Sequence, residues 1–397
     1  MLRCLKTNFV ASADTIDRLF DCNRVSGQVW NYCVELARAH HVKSGKWITK
    51  SELQTATKGL FPIHSQSIQA VCHNYLFSRD AAMKARRKGL KNKYPYKKKK
   101  TFNTKWANNG FVLHENGKIE LKMGNWKGQR QKPLVIWVGR LPQGEVKEIE
   151  LIFDRKLMIC MSYEDGVGRK ENKGQHLAAI DAGEIHTIAA VASNGESVII
   201  TGRKMRSIHQ LRNKKLAELG RKMSKCQKYS KQWKKYNRAK QYILSKSANQ
   251  LKDALHKTTK QFVAWCLENK VREVAFGDVE GVGRNTSKRK KKNKKVRRQT
   301  TNQKVSNWMF GKLYQYLGYK LDAEGIELNK HDESFTSQQC PCCERRKKVA
   351  SRHYRCKCGY EQHRDIHGAS NFYAKTYYGE IRSLDFELKK TKYLRIA

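Results

Sequence analysis

Five of the twelve cysteines lie between Glu333 and Asn371, in the stretch ESFTSQQCPCCERRKKVASRHYRCKCGYEQHRDIHGASN. Cys340 and Cys343 are spaced C-x-x-C, and Cys356 and Cys358 follow as C-x-C after a polar arm. Two cysteine pairs, each at a tight turn, can set four thiolates tetrahedrally around one Zn²⁺. Pro341 and Gly359 suit those turns, and Cys342 is a spare that could replace Cys343. The segment is too polar to fold by burying apolar surface, so bound metal must supply its folding free energy. These residues predict a structural zinc ribbon. A second chemistry begins at Asp181. The short apolar strand His176–Ile180 runs into Asp181-Ala182-Gly183, and strands at Thr187–Val191 and Ser197–Thr201 follow, joined by a Ser193-Asn194-Gly195 turn. An acid closing the first strand of such a meander is how an RNase H-like nuclease presents its first metal ligand; the competing reading is a turn-forming aspartate.

The elements that must position these residues belong to a chain of 397 residues, long enough for two or three domains, with 39% hydrophobic content. Its net charge of +47, from 82 Lys and Arg against 35 Asp and Glu, points to a nucleic-acid partner. No apolar run approaches the ~20 residues that span a bilayer, and MLRCLKTNFVASAD lacks the apolar core of a signal peptide, so no membrane partner is expected. Cys33, Cys72 and Cys266 sit among apolar neighbours and read as buried thiols of a reducing, cytoplasmic compartment.

In chain order, residues 1–13 predict a strand and residues 14–89 a helical unit, with a Thr49-x-x-Glu52 capping box, a helix opening at Ser65 or Ser67, and a stop at Gly89. Lys91–Trp106 interleaves lysines with aromatics, so Lys97, Lys98, Lys99, Lys100 and Trp106 are candidate nucleic-acid contacts. Residues 107–166 predict a β-barrel or sandwich, with the first strand joining it, and residues 167–175 a linker. Residues 204–270 predict two basic helices joined near Ser224–Gln232, with Tyr229 and Trp233 as further nucleic-acid candidates. Val271–Phe276 reads as a buried strand ending at Gly277-Asp278. Ser287–Gln299 is a charge run in which Arg289, Lys290 and Lys291 could meet a polyanion; it also weakly resembles a nuclear localisation signal. Val305–Ala323 predicts a helix, Ile326–Lys330 a strand leading to Glu333, and Asp365 opens a last helix. The tail from residue 379 carries no pattern.

Residues 177–378 resemble the TnpB family, insertion-sequence-encoded RNA-guided nucleases related to type V CRISPR effectors. The resemblance rests on AAIDAGEIHTIAAVASNGE, RSIHQLRNKKL, VAFGDVEGVGRNT, ESFTSQQCPCC, YRCKCGYEQHRD and GASNFY taken together. It implies an α+β multidomain protein: a helical recognition domain (14–89), a β-barrel-like wedge domain (1–13 and 90–166), and an RNase H-like (RuvC) nuclease domain (176–335 and 363–378). The zinc ribbon (336–362) is inserted in the last of these, and 379–397 form a tail. The implied function is RNA-guided cleavage of double-stranded DNA beside a short motif, with a guide RNA from the transposon end, in a prokaryotic cytoplasm close to the nucleoid. The alternatives are a guided DNA-binding repressor that no longer cuts, and a zinc protein with no guide.

The same resemblance matches Asp181 to the first catalytic aspartate and Asp365 to the last. The commoner pattern has Glu then Asp after the middle strand, whereas this chain has Gly277 then Asp278; a subset of the family carries its glutamate instead at the position of Glu333. The implied ligands of Mg²⁺ or Mn²⁺ are therefore Asp181, Glu333 and Asp365, with Asp278 as the rival second acid. If the strands before Asp278 and Glu333 lie in one sheet, either acid reaches the same metals. His363, Arg364 and His367 flank Asp365, to pack or to touch phosphate.

Overall fold

A computed structural model describes residues 1–279, 303–304 and 307–396. The charge run with Arg289, Lys290 and Lys291 lies outside the described residues. The chain divides into two units, Met1–Val167 and Gly168–Ala397.

In the first unit, helix α1 (Ala13–Ser44) is capped by Ser12, α2 (Lys50–Thr57) by the Thr49/Glu52 capping box, and α3 (Ser65–Arg87) by the ring of His64 instead of a serine. The strands are β1 (Leu2–Thr7), β2 (Thr104–Ala107), β3 (Phe111–Leu113), β4 (Lys118–Leu121), β5 (Asn125–Trp126), β6 (Gln129–Arg130), β7 (Leu134–Trp137), β8 (Glu145–Asp154) and β9 (Lys156–Glu164). They form a four-stranded sheet β1-β9-β8-β2, a three-stranded sheet β3-β4-β7 and the β5-β6 hairpin, with Val10 bridged to Trp137. Leu19, Cys33, Cys72 and Tyr75 of the helices and Trp106, Leu121 and Ile149 of the strands belong to one buried cluster, so helices and sheets here share a core. Cys4 and Cys160 are joined as a disulfide between the neighbouring strands β1 and β9, a pairing the expectation of free thiols did not include. Cys33, Cys72 and Cys266 are buried and free, as expected.

The second unit is built on one six-stranded sheet. The meander β10 (His176–Asp181), β11 (His186–Ala192) and β12 (Ser197–Thr201) is antiparallel. Helices α4 (Arg203–Ser224) and α5 (Lys231–Glu268) then lead to β13 (Val271–Gly277), parallel to β10; α6 (Phe310–Ala323) leads to β14 (Glu327–His331), parallel to β13. All seven residues of β11 are buried, because both sheet faces are covered. One face packs on α5 and α6 through Leu255, Phe262, Trp265, Leu313 and Leu317; the other packs on α7 (Arg364–Tyr377) through Ile366, Ala369 and Phe372. Between β14 and α7 stands the ribbon with its hairpin β15 (His353–Arg355) and β16 (Glu361–His363). The tail, patternless in sequence, adds β17 (Lys392–Leu394) parallel to β12 and lays Leu384, Phe386 and Leu388 on the α7 face.

Candidate active site and structural metal centre

Because β10, β13 and β14 are parallel, their chain ends lie at one edge of the sheet. Asp181 closes β10, Asp278 follows β13, and Glu333 comes two residues after β14. Asp365 joins them from the first turn of α7. The carboxyls feel one another. Burial, then the charge of Asp365, pushes Asp181 up to about 7 against the opposing pull of Arg364. Burial, then the charges of Asp181, Asp278 and Asp332, pushes Glu333 up to about 8. Crowded carboxyls that keep protons near neutrality suit a hard divalent cation, which would take the place of those protons.

Two glycines make room for these acids. A Cβ on Gly277 would fall on the Glu333 carboxylate, and one on Gly368 would fall on the Asp181 carboxylate. The bare backbone of Gly277 leaves the space that the Glu333 carboxylate fills. Asp278 is exposed, and its backbone N–H continues the β13–β14 ladder by donating to His331 O at 2.8 Å.

Three donors hold Asp365. His186 Nδ1 lies 2.5 Å from its Oδ2, Arg352 Nη1 3.1 Å from the same oxygen, and Arg364 Nε 3.3 Å from Oδ1. Burial acts to raise this carboxyl, but the His186 hydrogen bond and the charges of Arg364, His186 and Arg352 hold it at about 2. His186, His363 and Asp365 also bring ligand atoms within 4.8 Å of one another, a grouping able to hold a metal. His367 has a packing role: it is buried, stacks on Tyr354 at 3.8 Å between centroids, and its ring nitrogens meet Tyr360 Oη and Asn371 Nδ2, each at 3.3 Å. His186 and Arg352 are the site residues that sequence reasoning missed.

In the ribbon, the sulfurs of Cys340, Cys343, Cys356 and Cys358 all lie within 4.8 Å of one another, with Cys340–Cys358 at 3.5 Å and Cys343–Cys356 at 3.4 Å. That is close to the ~3.8 Å edge of a tetrahedron with Zn–S bonds of ~2.3 Å. Backbone N–H groups of Cys342 and Cys343 point at the Cys340 sulfur, and that of Cys358 at Cys356. The four thiols fit zinc. Cys342 is exposed and stands outside the cluster.

The nucleic-acid candidates separate into three outcomes. Trp106 is corrected: it has no exposed surface, and its indole N–H donates to Lys122 O at 2.9 Å, so it is core and offers no face to a base. It occupies a buried position in the β2 alternation. Lys97, Lys98 and Lys100 are exposed on a strap laid along α1. The Asn31 side chain grips both the N–H and C=O of Lys99, Trp30 Nε1 donates to Lys97 O, and a Cβ on Gly27 would come within 3.0 Å of the Lys100 carbonyl. Lys99 turns inward, its Nζ 3.4 Å from the Trp30 ring centroid and 4.0 Å from that of Phe102. Tyr229 and Trp233 pair at 5.3 Å where α4 turns into α5, with Tyr229 exposed among lysines.

Residues 158–283 match a family model described as a probable transposase, and residues 310–372 one described as a Cas12f1-like TNB domain. A TnpB-like protein of Methanocaldococcus jannaschii is 26% identical over 227 residues, covering 55% of this chain and 76% of that protein. InsQ of Escherichia coli (strain K12), whose name proposes an RNA-guided DNA endonuclease, is 24% identical over 353 residues, covering 84% of this chain and 79% of its own length. Among solved structures, a Cas12f1–sgRNA–target DNA complex contains a chain of similar fold, with a TM-score of 0.65 at 14% identity over 91% of this chain and 82% of that one.

Proposed function

We propose that the chain is a member of the TnpB family, an RNA-guided DNA endonuclease that hydrolyses phosphodiester bonds with two divalent metal ions, a reading supported by its similarity to a TnpB-like protein and to InsQ. The observation that carries this reading is the convergence of Asp181, Glu333 and Asp365 at one sheet edge, with Gly277 vacated for the Glu333 carboxylate. Mg²⁺ or Mn²⁺ held there would activate water and stabilise the leaving oxygen. Asp181 would supply oxygens from the end of β10 and Glu333 from the turn after β14, while Asp365 would supply them from the first turn of α7. Arg352 and Arg364 place positive charge at the edge of the acid cluster, where a phosphate would approach. The ribbon holds zinc for structure, since thiolate sulfur suits zinc and carboxylate oxygen suits magnesium.

The partners proposed are a guide RNA from the transposon end and double-stranded target DNA with a short adjacent motif, in a prokaryotic cytoplasm close to the nucleoid. No helix among the described residues is long and apolar enough to cross a membrane. Sequencing the RNA that copurifies and offering the purified complex matched DNA in Mg²⁺ tests the reading. A defined RNA and cut DNA are expected; protein without RNA, or a complex that binds matched DNA and leaves it whole, would refute it.

Guide affinity should also depend steeply on salt, because a chain with net charge +47 must release many counterions. With six or more phosphate contacts, binding should fall about a thousandfold between roughly 50 and 200 mM salt. Filter binding over a salt series measures the slope, and a flat one contradicts the proposal.

A further inference from the structure

From the placement of β17 we infer that the tail supports the active site: Tyr393 fixes the orientation of His186, and His186 positions Asp365. The inference rests on the reading of Asp365 as a metal ligand. His186 opens β11 opposite Thr201, and the register shifts between His186 and Ile188, leaving Thr187 as a bulge. Ile188 faces the core under α5 and α6. Strict alternation would turn His186 the same way; the bulge turns it to the α7 face, where Asp365 lies. There it is 5% exposed. Its Nδ1 lies 2.5 Å from Asp365 Oδ2 and its Nε2 3.0 Å from Tyr393 Oη, with the two rings edge-on at 87°.

The partners dictate the proton's place. A carboxylate only accepts, so Nδ1 carries a hydrogen and donates it, and the phenol completes the bonding at Nε2. A histidine held at both ring nitrogens has one orientation. It takes one lone-pair direction of Oδ2 and limits the rotation of the Asp365 carboxylate, as outer groups do for metal-binding carboxylates.

The tail is fixed where it delivers Tyr393. That residue pairs with Ile199, Ser197 Oγ meets Thr391 Oγ1 at 2.9 Å, the Lys389 N–H donates to Gly195 O at 2.9 Å, and Lys392 pairs with Glu268 at 3.0 Å.

The test uses the guide-bound full chain carrying His186→Leu, His186→Asn or Tyr393→Phe. Two midpoints are read: the Mg²⁺ concentration for half-maximal DNA cleavage, and the Fe²⁺ concentration for half-maximal iron-and-ascorbate scission of the protein backbone beside Asp181 and Asp365, which needs no DNA cutting. His186→Leu should raise both about 10–100-fold. Tyr393→Phe should raise them about two- to tenfold, the worth of one neutral hydrogen bond. His186→Asn, whose amide nitrogen can stand near the Nδ1 position, should recover most of the loss. KM for target DNA should stay at the parent value, while His186→Leu should melt lower at neutral pH because it removes a donor that holds the Asp365 carboxyl down. Parent-like midpoints in His186→Leu and Tyr393→Phe overturn the inference. So does an Asn variant as weak as Leu with Tyr393→Phe unaffected, which would make His186 itself a metal ligand. A parent complex that never cuts refutes the endonuclease reading instead, and the iron midpoints still decide this one.

Discussion

Glu333→Gln is expected to abolish cleavage of guide-matched DNA while leaving guided binding intact, and Asp278→Asn to leave measurable cleavage. Glutamine keeps the size and hydrogen bonding of Glu333 and removes the charge a Mg²⁺ ligand needs. The loss should exceed the about 10–100-fold that removal of a merely supporting group costs. Asp181→Ala and Asp365→Ala should fall with it. Gly277→Ala probes the same assignment without touching an acid, since its methyl would fall on the Glu333 carboxylate and must displace it.

A folding lesion is distinguishable. The Glu333 carboxyl is raised from 4.5 to about 8, so its ionisation opposes folding increasingly as pH rises from about 5 to 8. Metal-free Glu333→Gln should therefore melt no lower than the metal-free parent near pH 8. Lost cleavage with retained stability marks a functional site. An inert Asp278→Asn beside an active Glu333→Gln would instead place the second acid on β13.

Removing zinc, or changing both Cys340→Ser and Cys356→Ser, should unfold the ribbon and take cleavage with it. The ribbon's buried anchors are few: Cys340, Tyr354 and Thr336. Structural zinc contributes on the order of 10–16 kcal/mol of apparent folding free energy in small cysteine–histidine domains, about the size of a whole domain's stability. The damage should reach the acids, because α7 grips the ribbon root: Asn371 Nδ2 donates to Thr336 O at 2.8 Å and Gln339 O at 2.7 Å. Metal analysis should find about one Zn²⁺ per chain. Limited proteolysis should cut the zinc-free protein between Cys340 and Cys358. Active protein without zinc, or a double serine variant cutting at the parent rate, would end this account.

Much of the second unit was legible because its signals are local. The hairpin turn after β11 and the apolar run before Asp181 each lie within a few residues, as do the paired cysteines and the parallel strand before Asp278. What escaped reading depends on distant partners. β17 has three residues, and its worth comes from β12 and from Tyr393 meeting His186, 207 positions earlier. His186 was hidden because period-two alternation groups it with Ile188, and only the bulge separates them. Trp106 misled for the opposite reason: an aromatic among lysines looks like a stacking platform, yet the strand alternation of Thr104 and Trp106 outranks the composition around it. Glu333 was suggested by resemblance; the space over Gly277 is its physical counterpart and leaves no mark in sequence beyond the glycine.

The lysine strap on α1 has a bearing on the entropy of recognition. A basic loop ordinarily loses its backbone freedom when it meets a polyanion, at about 1–2 kcal/mol per residue fixed. Here Asn31, Trp30 and the bare backbone of Gly27 impose that loss during folding, before any ligand arrives. Lys97, Lys98 and Lys100 thus project from a track of set spacing. Glycine within α1 is unfavourable by the ordinary helix scale, by about 1 kcal/mol against alanine. At this position the ranking inverts, since alanine, the best helix former, would push the charged track off its bed.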